Sequence, residues 1–174
     1  LIELLDDSSS DIQTKAIIAA GWFRDPRLAN RLVSFLAEPA LSPAAQTALQ
    51  QYGDDALYEL DLGFTSPATG RREKTAIVDI VREIGGVRAM ETLLRHIETD
   101  NPEIRHRIYL SLASLHYQAD PDDRYIFVNK LEEEVRTIAW LLAAMNDLYQ
   151  VPQYERVHEA LASELDVRRD KMLP

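Results

Sequence analysis

Histidines, acidic runs and one basic cluster are the side chains of this 174-residue chain with the chemistry to do more than pack. His96, His106 and His116 stand ten residues apart. At 100° per residue, that spacing leaves successive side chains about 80° out of line on a helix, so they do not converge on one metal ion. Each is expected to be a structural or surface histidine. "DPDD" at 120–123 opens like a calcium-binding loop, but loop position six is Tyr125 rather than glycine and position twelve is Leu131 rather than glutamate. It reads better as a helix start, with Asp120 as cap, Pro121 as first residue, and Asp122 and Asp123 at the positive end of the helix. "GRREK" at 70–74 lacks the glycine-lysine-hydroxyl arrangement of a phosphate loop and reads as a solvated helix start. Asp54 and Asp55 suit a helix N-terminus without any catalysis. "EEE" at 132–134 reads as a solvated face, although an acidic stripe could meet a basic partner. No general acid and base emerge. The chain is therefore expected not to be an enzyme, with no catalytic residue, no metal and no cofactor.

If the chemistry is recognition, helices must position it. Residues 11–23 carry Ile12, Ala16, Ile17, Ala20 and Phe23 as a helical stripe, with Ser10 as N-cap. Gly21 weakens the last turn, and Asp25-Pro26 starts a second helix with Leu28, Leu32, Val33, Phe35 and Leu36. The unit recurs. Gly21, Gly53 and Gly85 are 32 residues apart, and the rows Ile12/Ala44/Ala76/Ile108, Ala16/Ala48/Ile80/Leu112 and Ile17/Leu49/Val81/Ala113 stay apolar in every copy. A fixed period of that length is the mark of a solenoid. No segment shows the sustained alternation of a strand.

Composition narrows the classes. With 46% hydrophobic residues the chain can bury a substantial core, and it holds no run of the ~20 apolar residues that a membrane span needs. Direct insertion into a membrane is therefore not expected. Cysteine is absent, which excludes disulfides and thiol metal sites and fits a reducing compartment. A net charge of −10 repels phosphate backbones, and no nucleic-acid partner is expected. The chain opens inside the pattern Leu1, Leu4, Leu5 and closes as another apolar stretch begins, so it is expected to be a piece of something longer.

"SDIQTKAIIAAGWFRDPRLANRLVSFL" and "NPEIRHRIYLSLASL" resemble HEAT repeats. The resemblance covers residues 1 to about 118 and implies an all-α, right-handed superhelix of about four helical pairs. Arg105 stands near the second-helix arginine of the family. Gln13 and Ala45 depart from the pattern, and "GFTSPATGRRE" is longer than a tight inter-helix turn. Residues 119–174 form a C-terminal extension. There Val128, Leu131, Val135, Ile138, Leu142, Met145 and Tyr149 step by alternating threes and fours. One long helix is expected over 122–149, broken before Pro152, then a shorter one carrying Tyr154, Val157, Leu161 and Leu165. The stripe fits a coiled-coil partner or, as the plainer expectation, a broad face buried against the end of the solenoid.

In a paired-helix array, the second helices line one broad face. The row Lys15, Thr47, Asp79, Ser111 is polar in all four copies. One turn either side lie Asp11, Pro43, Thr75, Arg107 and Ile18, Gln50, Arg82, Ser114, followed by Trp22, Asp54, Gly86, Gln118. This ladder is the candidate inner groove, with Trp22, Gln50, Asp79, Arg82 and Arg107 as partner contacts. Its plainer reading is ordinary solvated side chains. The array and its long-helix continuation also look like the cytoplasmic repeat segment of bacterial ADP,ATP carrier-like (nucleotide translocase) or major-facilitator transporter fusions. That resemblance implies a cytoplasmic, non-enzymatic protein-interaction or regulatory scaffold. Its partner would be another protein or the adjacent domains of a membrane-bound parent.

Two other readings stay open: a HEAT-like enzyme or lyase subunit of the bilin-lyase kind, and a passive spacer between domains. The di-iron hydroxylases of this build need several His-Glu pairs, and this chain has only His158-Glu159. The HEAT-like DNA glycosylases need a basic concave face, whereas this ladder mixes signs.

Overall fold

A computed structural model describes residues 1–119, 121–148 and 155–172, and among these every regular element is helical. No helix among them is long and apolar enough to cross a membrane. The chain divides into two compact units, Leu1–Tyr117 and Gln118–Pro174.

The first unit contains α1 (Ile2–Leu5), α2 (Ser10–Phe23), α3 (Pro26–Ser34), α4 (Ser42–Tyr52), α5 (Leu57–Thr65), α6 (Arg71–Ile84), α7 (Gly86–Arg95) and α8 (Pro102–Ser114). Short 3-10 turns at Phe35–Ala37 and Gly53–Ala56 lead into α4 and α5. Helices α2, α4, α6 and α8 pack side by side in that order, and α3, α5 and α7 form a second row against them. Local chemistry sets the starts. Asp25 accepts a hydrogen bond from the Arg27 amide at 3.0 Å, with Pro26 in the first turn of α3. Asn101 likewise accepts from the Glu103 and Ile104 amides ahead of α8, where Pro102 comes first. Helix α2 begins at Ser10 itself, with Ser9 in the cap position.

The core follows the 32-residue rows. Ala16, Ala48, Ile80 and Leu112 are buried, as are Ile17, Leu49 and Val81, while Ala113 is exposed. Fully burying an aliphatic side chain such as Leu or Ile contributes about 1.5–3 kcal/mol, which makes these rows the main cohesive element. The Ile12 row behaves differently: Ile108 is buried, Ala44 and Ala76 are half-buried, and Ile12 is exposed, so this phase lies at the margin of the packed seam.

The recurring glycine has two physical explanations. Gly53 and Gly85 end α4 and α6 with φ of 60° and 69° and ψ of −135° and −172°, a conformation essentially reserved for glycine. Gly21 instead lies inside α2, where a Cβ would meet the Ala48 Cα at 2.9 Å and the Gln51 Oε1 at 2.5 Å. Its role is close approach of α2 to α4. Arg24, at φ 49°, ends α2, and His116, at φ 55°, follows α8 as the Tyr117 amide donates to the Leu112 carbonyl at 3.0 Å.

The second unit is built from α9 (Pro121–Leu148) and α10 (Glu155–Met172), packed on one another. The long helix is described over Pro121–Leu148, against an expected span of 122–149. The proposed cap Asp120 lies outside the described residues, as do Tyr149, Pro152 and Tyr154. Arg168 of α10 donates to Glu134 of α9 at 2.6 Å and to Glu164 at 2.9 Å. Along that stripe Val128, Leu131, Val135 and Leu142 are 43–54% exposed and Ile138 and Met145 are half-buried, while Leu141, on the Glu134 side of the helix, is buried. The side of α9 that carries Glu134 is the one that α10 reaches.

Alanine normally improves a helix over glycine by about 0.5–1 kcal/mol. Gly21→Ala is expected to do the reverse, since the α4 backbone must retreat. The net loss should be about 1 kcal/mol or more, read as a lower midpoint in urea unfolding.

Candidate functional site

The candidate ladder lies on the solvent side of the α2, α4, α6, α8 row. Lys15, Thr47 and Arg107 are exposed, and Gln50, Asp79 and Arg82 are half-buried. Ser111 departs from the expected row: it is buried, and its hydroxyl donates to the Arg107 carbonyl one turn earlier at 2.8 Å. Trp22 is 77% exposed, beside an equally open Phe23.

The structure brings two of the five ladder candidates together. Arg107 of α8 donates through Nε and Nη2 to the two carboxylate oxygens of Asp79 on α6, each at 2.7 Å. That fork holds the Arg107 guanidinium above its ordinary pKa, chiefly through the hydrogen bond from Arg107 to Asp79. Arg82 turns to its neighbour Glu83, donating at 2.7 Å, and its Nε is buried with no hydrogen-bond partner among the described residues. Gln50 on α4 and Trp22 on α2 stand one and two helices away from this pair. A hollow of about 200 Å³ opens beside the ladder between α4 and α6, lined by Pro43, Gln46, Arg72, Thr75 and Asp79.

A second hollow, of about 380 Å³, lies between α3, α5 and the start of α6. Its lining includes the apolar Val33, Leu62 and Ile77 and the acidic Glu59 and Glu73, with Asn30 donating to Glu59 at 3.0 Å.

One cluster was not singled out from the sequence. His96, just past the end of α7, is only 13% exposed, with Nε2 2.5 Å from the Asp61 carboxylate of α5. Arg95 donates to the other Asp61 oxygen at 3.1 Å. The imidazole stacks on Phe64 at 4.1 Å, and Lys74 of α6 sits over the same phenyl ring at 5.3 Å. Burial lowers the His96 pKa below its ordinary value of 6.5. Asp61 opposes that shift, and Arg95 and Lys74 add to it. The geometry is a clamp that joins α5, α6 and α7. Its sequence signal was a separation close to one repeat. Asp61/Arg95 are 34 residues apart, Asp54/Arg88 34, Arg71/Glu103 32 and Asp79/Arg107 28, each pair joining neighbouring helices. Among the described residues no three His, Asp or Glu side chains gather as a metal site. The side chain of His158 is outside that description.

The Asp79/Arg107 pair is partly exposed, so solvent screening limits its worth. A double-mutant cycle with Asp79→Ala and Arg107→Ala should return a coupling of about 0.3–1 kcal/mol. For His96, the unfolded chain binds the proton more readily than the folded one. Stability is therefore complete above pH 6.5 and falls as the pH drops through 6.5 towards the lower folded value. Thermal unfolding between pH 7.5 and 5.5 should show this decline, and His96→Phe should flatten it. Compared with known proteins, the chain matches no family model, no curated protein and no solved structure.

Proposed function

We propose that residues 1–118 form a HEAT-like right-handed solenoid whose ladder face binds another protein or an adjacent domain of its parent chain. Within this reading the module is non-enzymatic and cytoplasmic, and it serves as the repeat segment of an ADP,ATP carrier-like or major-facilitator transporter fusion. The observation that carries it is the sequential packing of α2, α4, α6 and α8, which presents Trp22, Gln50, Asp79, Arg82 and Arg107 on consecutive helices.

The chemistry of that face suits recognition. A widely exposed tryptophan supplies apolar contact area, and tryptophan and arginine are the types that most often dominate binding energy. The Asp79/Arg107 fork fixes two charges at a set place, so a partner meets a preorganised pattern. The hollow beside Asp79 gives that pattern some depth.

The test is affinity capture from a native lysate. The parent chain is compared with a triple variant carrying Asp79→Lys, Arg82→Glu and Arg107→Glu. Reversing both members of the fork keeps an attractive pair, so circular dichroism should be unchanged. A protein held by the parent and lost by the variant is the expected result. Identical captures, or none, would replace the binding module by a passive spacer.

A further inference from the structure

We infer that the hollow between α3, α5 and the start of α6 binds an aliphatic diamine or polyamine, a free small molecule that carries two ammonium groups on a hydrocarbon stem. The site lies wholly within the first unit and owes nothing to the ladder face.

Size and apolar lining set the kind of stem. At about 380 Å³ the hollow falls at the lower end of small-molecule sites, which span roughly 300–1,000 Å³. Its apolar surface comes from three helices, through Val33 of α3, Leu62 of α5 and Ile77 of α6. Val33 and Ile77 converge on Gly63 of α5, where a Cβ would meet the Val33 Cγ1 at 2.7 Å and the Ile77 Cδ1 at 3.4 Å. A glycine inside a helix is destabilising relative to alanine, yet any side chain at 63 would displace this lining. Such a surface suits methylene groups. It does not suit a bare divalent metal ion, which asks for about six or more oxygen ligands. Among the described residues no three His, Asp or Glu side chains gather to supply them.

Charge sets the heads. The charged lining residues are both acidic, Glu59 of α5 and Glu73 of α6, and both are half-buried. Neither forms an ion pair among the described residues, whereas Asp54, Asp61 and Asp79 each receive an arginine from a neighbouring helix. Both carboxylates are held in place. Asn30 of α3 donates to the Glu59 Oε2 at 3.0 Å, which leaves Oε1 to accept from a ligand. Glu73 folds back over the head of α6, with its Oε2 only 2.6 Å from where a Cβ on Gly70 would stand, so glycine at 70 is what leaves it room. Two unmatched carboxylates on different helices call for two cationic heads on one molecule. A single lysine or arginine side chain of a partner protein brings only one. The net charge of −10 adds a long-range attraction for a dication.

The test is calorimetric titration of the whole chain at low salt with putrescine, cadaverine and spermidine. Butylamine supplies one head, butanediol none, and an ether-stemmed diamine of cadaverine's length supplies two heads on a polar stem. One molecule per chain is expected, with the best of the three amines held at least about fivefold more tightly than butylamine. Butanediol should not bind, the ether stem should weaken binding, and added salt should weaken it further. Glu59→Gln and Glu73→Gln should each reduce the affinity to about that of butylamine with circular dichroism unchanged, since glutamine keeps an acceptor for Asn30. Glu91→Gln makes the same charge change at an exposed site on α7 and should leave binding intact. Absence of saturable binding would overturn the inference. So would equal binding of butylamine, which would make a partner's basic side chain the better occupant, or equal binding of the ether-stemmed diamine. An equal loss in Glu91→Gln, or displacement by magnesium at matched ionic strength, would reduce the effect to the diffuse charge of the chain and overturn it too.

Discussion

Everything in the first unit depends on how closely α2, α4, α6 and α8 can approach one another. Where α2 meets α4 the contact is made by the smallest side chains available: Ala16, Ala20 and Gly21 on one helix, Ala45 and Ala48 on the other, all buried. Dispersion and apolar burial depend on such contact, and a single methyl group in the wrong place separates the backbones. Further along the row the same phase takes Ile80 and Leu112, so the spacing of neighbouring helices is a matter of local side-chain volume rather than of a uniform repeat.

Given that seam, the chain must reverse after every helix of the row. It does so through five residues with positive φ: Arg24, Gly53, the adjacent Gly85 and Gly86, and His116. Three are glycines, and the ψ values of Gly53 and Gly85 exclude other residues. The arginine occupies the small left-handed region that L residues tolerate at some cost, and the histidine shares its positive φ. Polar chemistry then joins helix to neighbour, with carboxylates and guanidinium groups about one repeat apart meeting across both rows.

The repeating helical pairs were legible because the period of the apolar rows and the Asp-Pro and Asn-Pro starts are local signals. The long helix of the second unit was legible because its stripe is unbroken. The glycine period misled in one respect: Gly21 shares a register with Gly53 and Gly85, yet its reason is inter-helix distance, which a sequence does not display. Ser111 looked like a groove residue because it is polar, but a serine can satisfy its hydroxyl on the preceding turn and remain buried. The Asp61/His96 clamp is not legible along the chain because its two members lie 35 residues apart and meet only once α5 and α7 pack. Of the ladder, the positions could be read from phase, whereas the Asp79/Arg107 fork depends on the lateral offset of α6 and α8.

The main packings of the first unit join elements that are neighbours, or next neighbours, in sequence. Assembly then needs no long loop to close before its contacts reward it, since closure entropy grows with the chain length enclosed. Folding can spread pair by pair from whichever seam forms first, and its rate should resemble that of local helical proteins more than that of sheets. By the same logic a defect in one seam weakens the helices on either side of it and fades with distance.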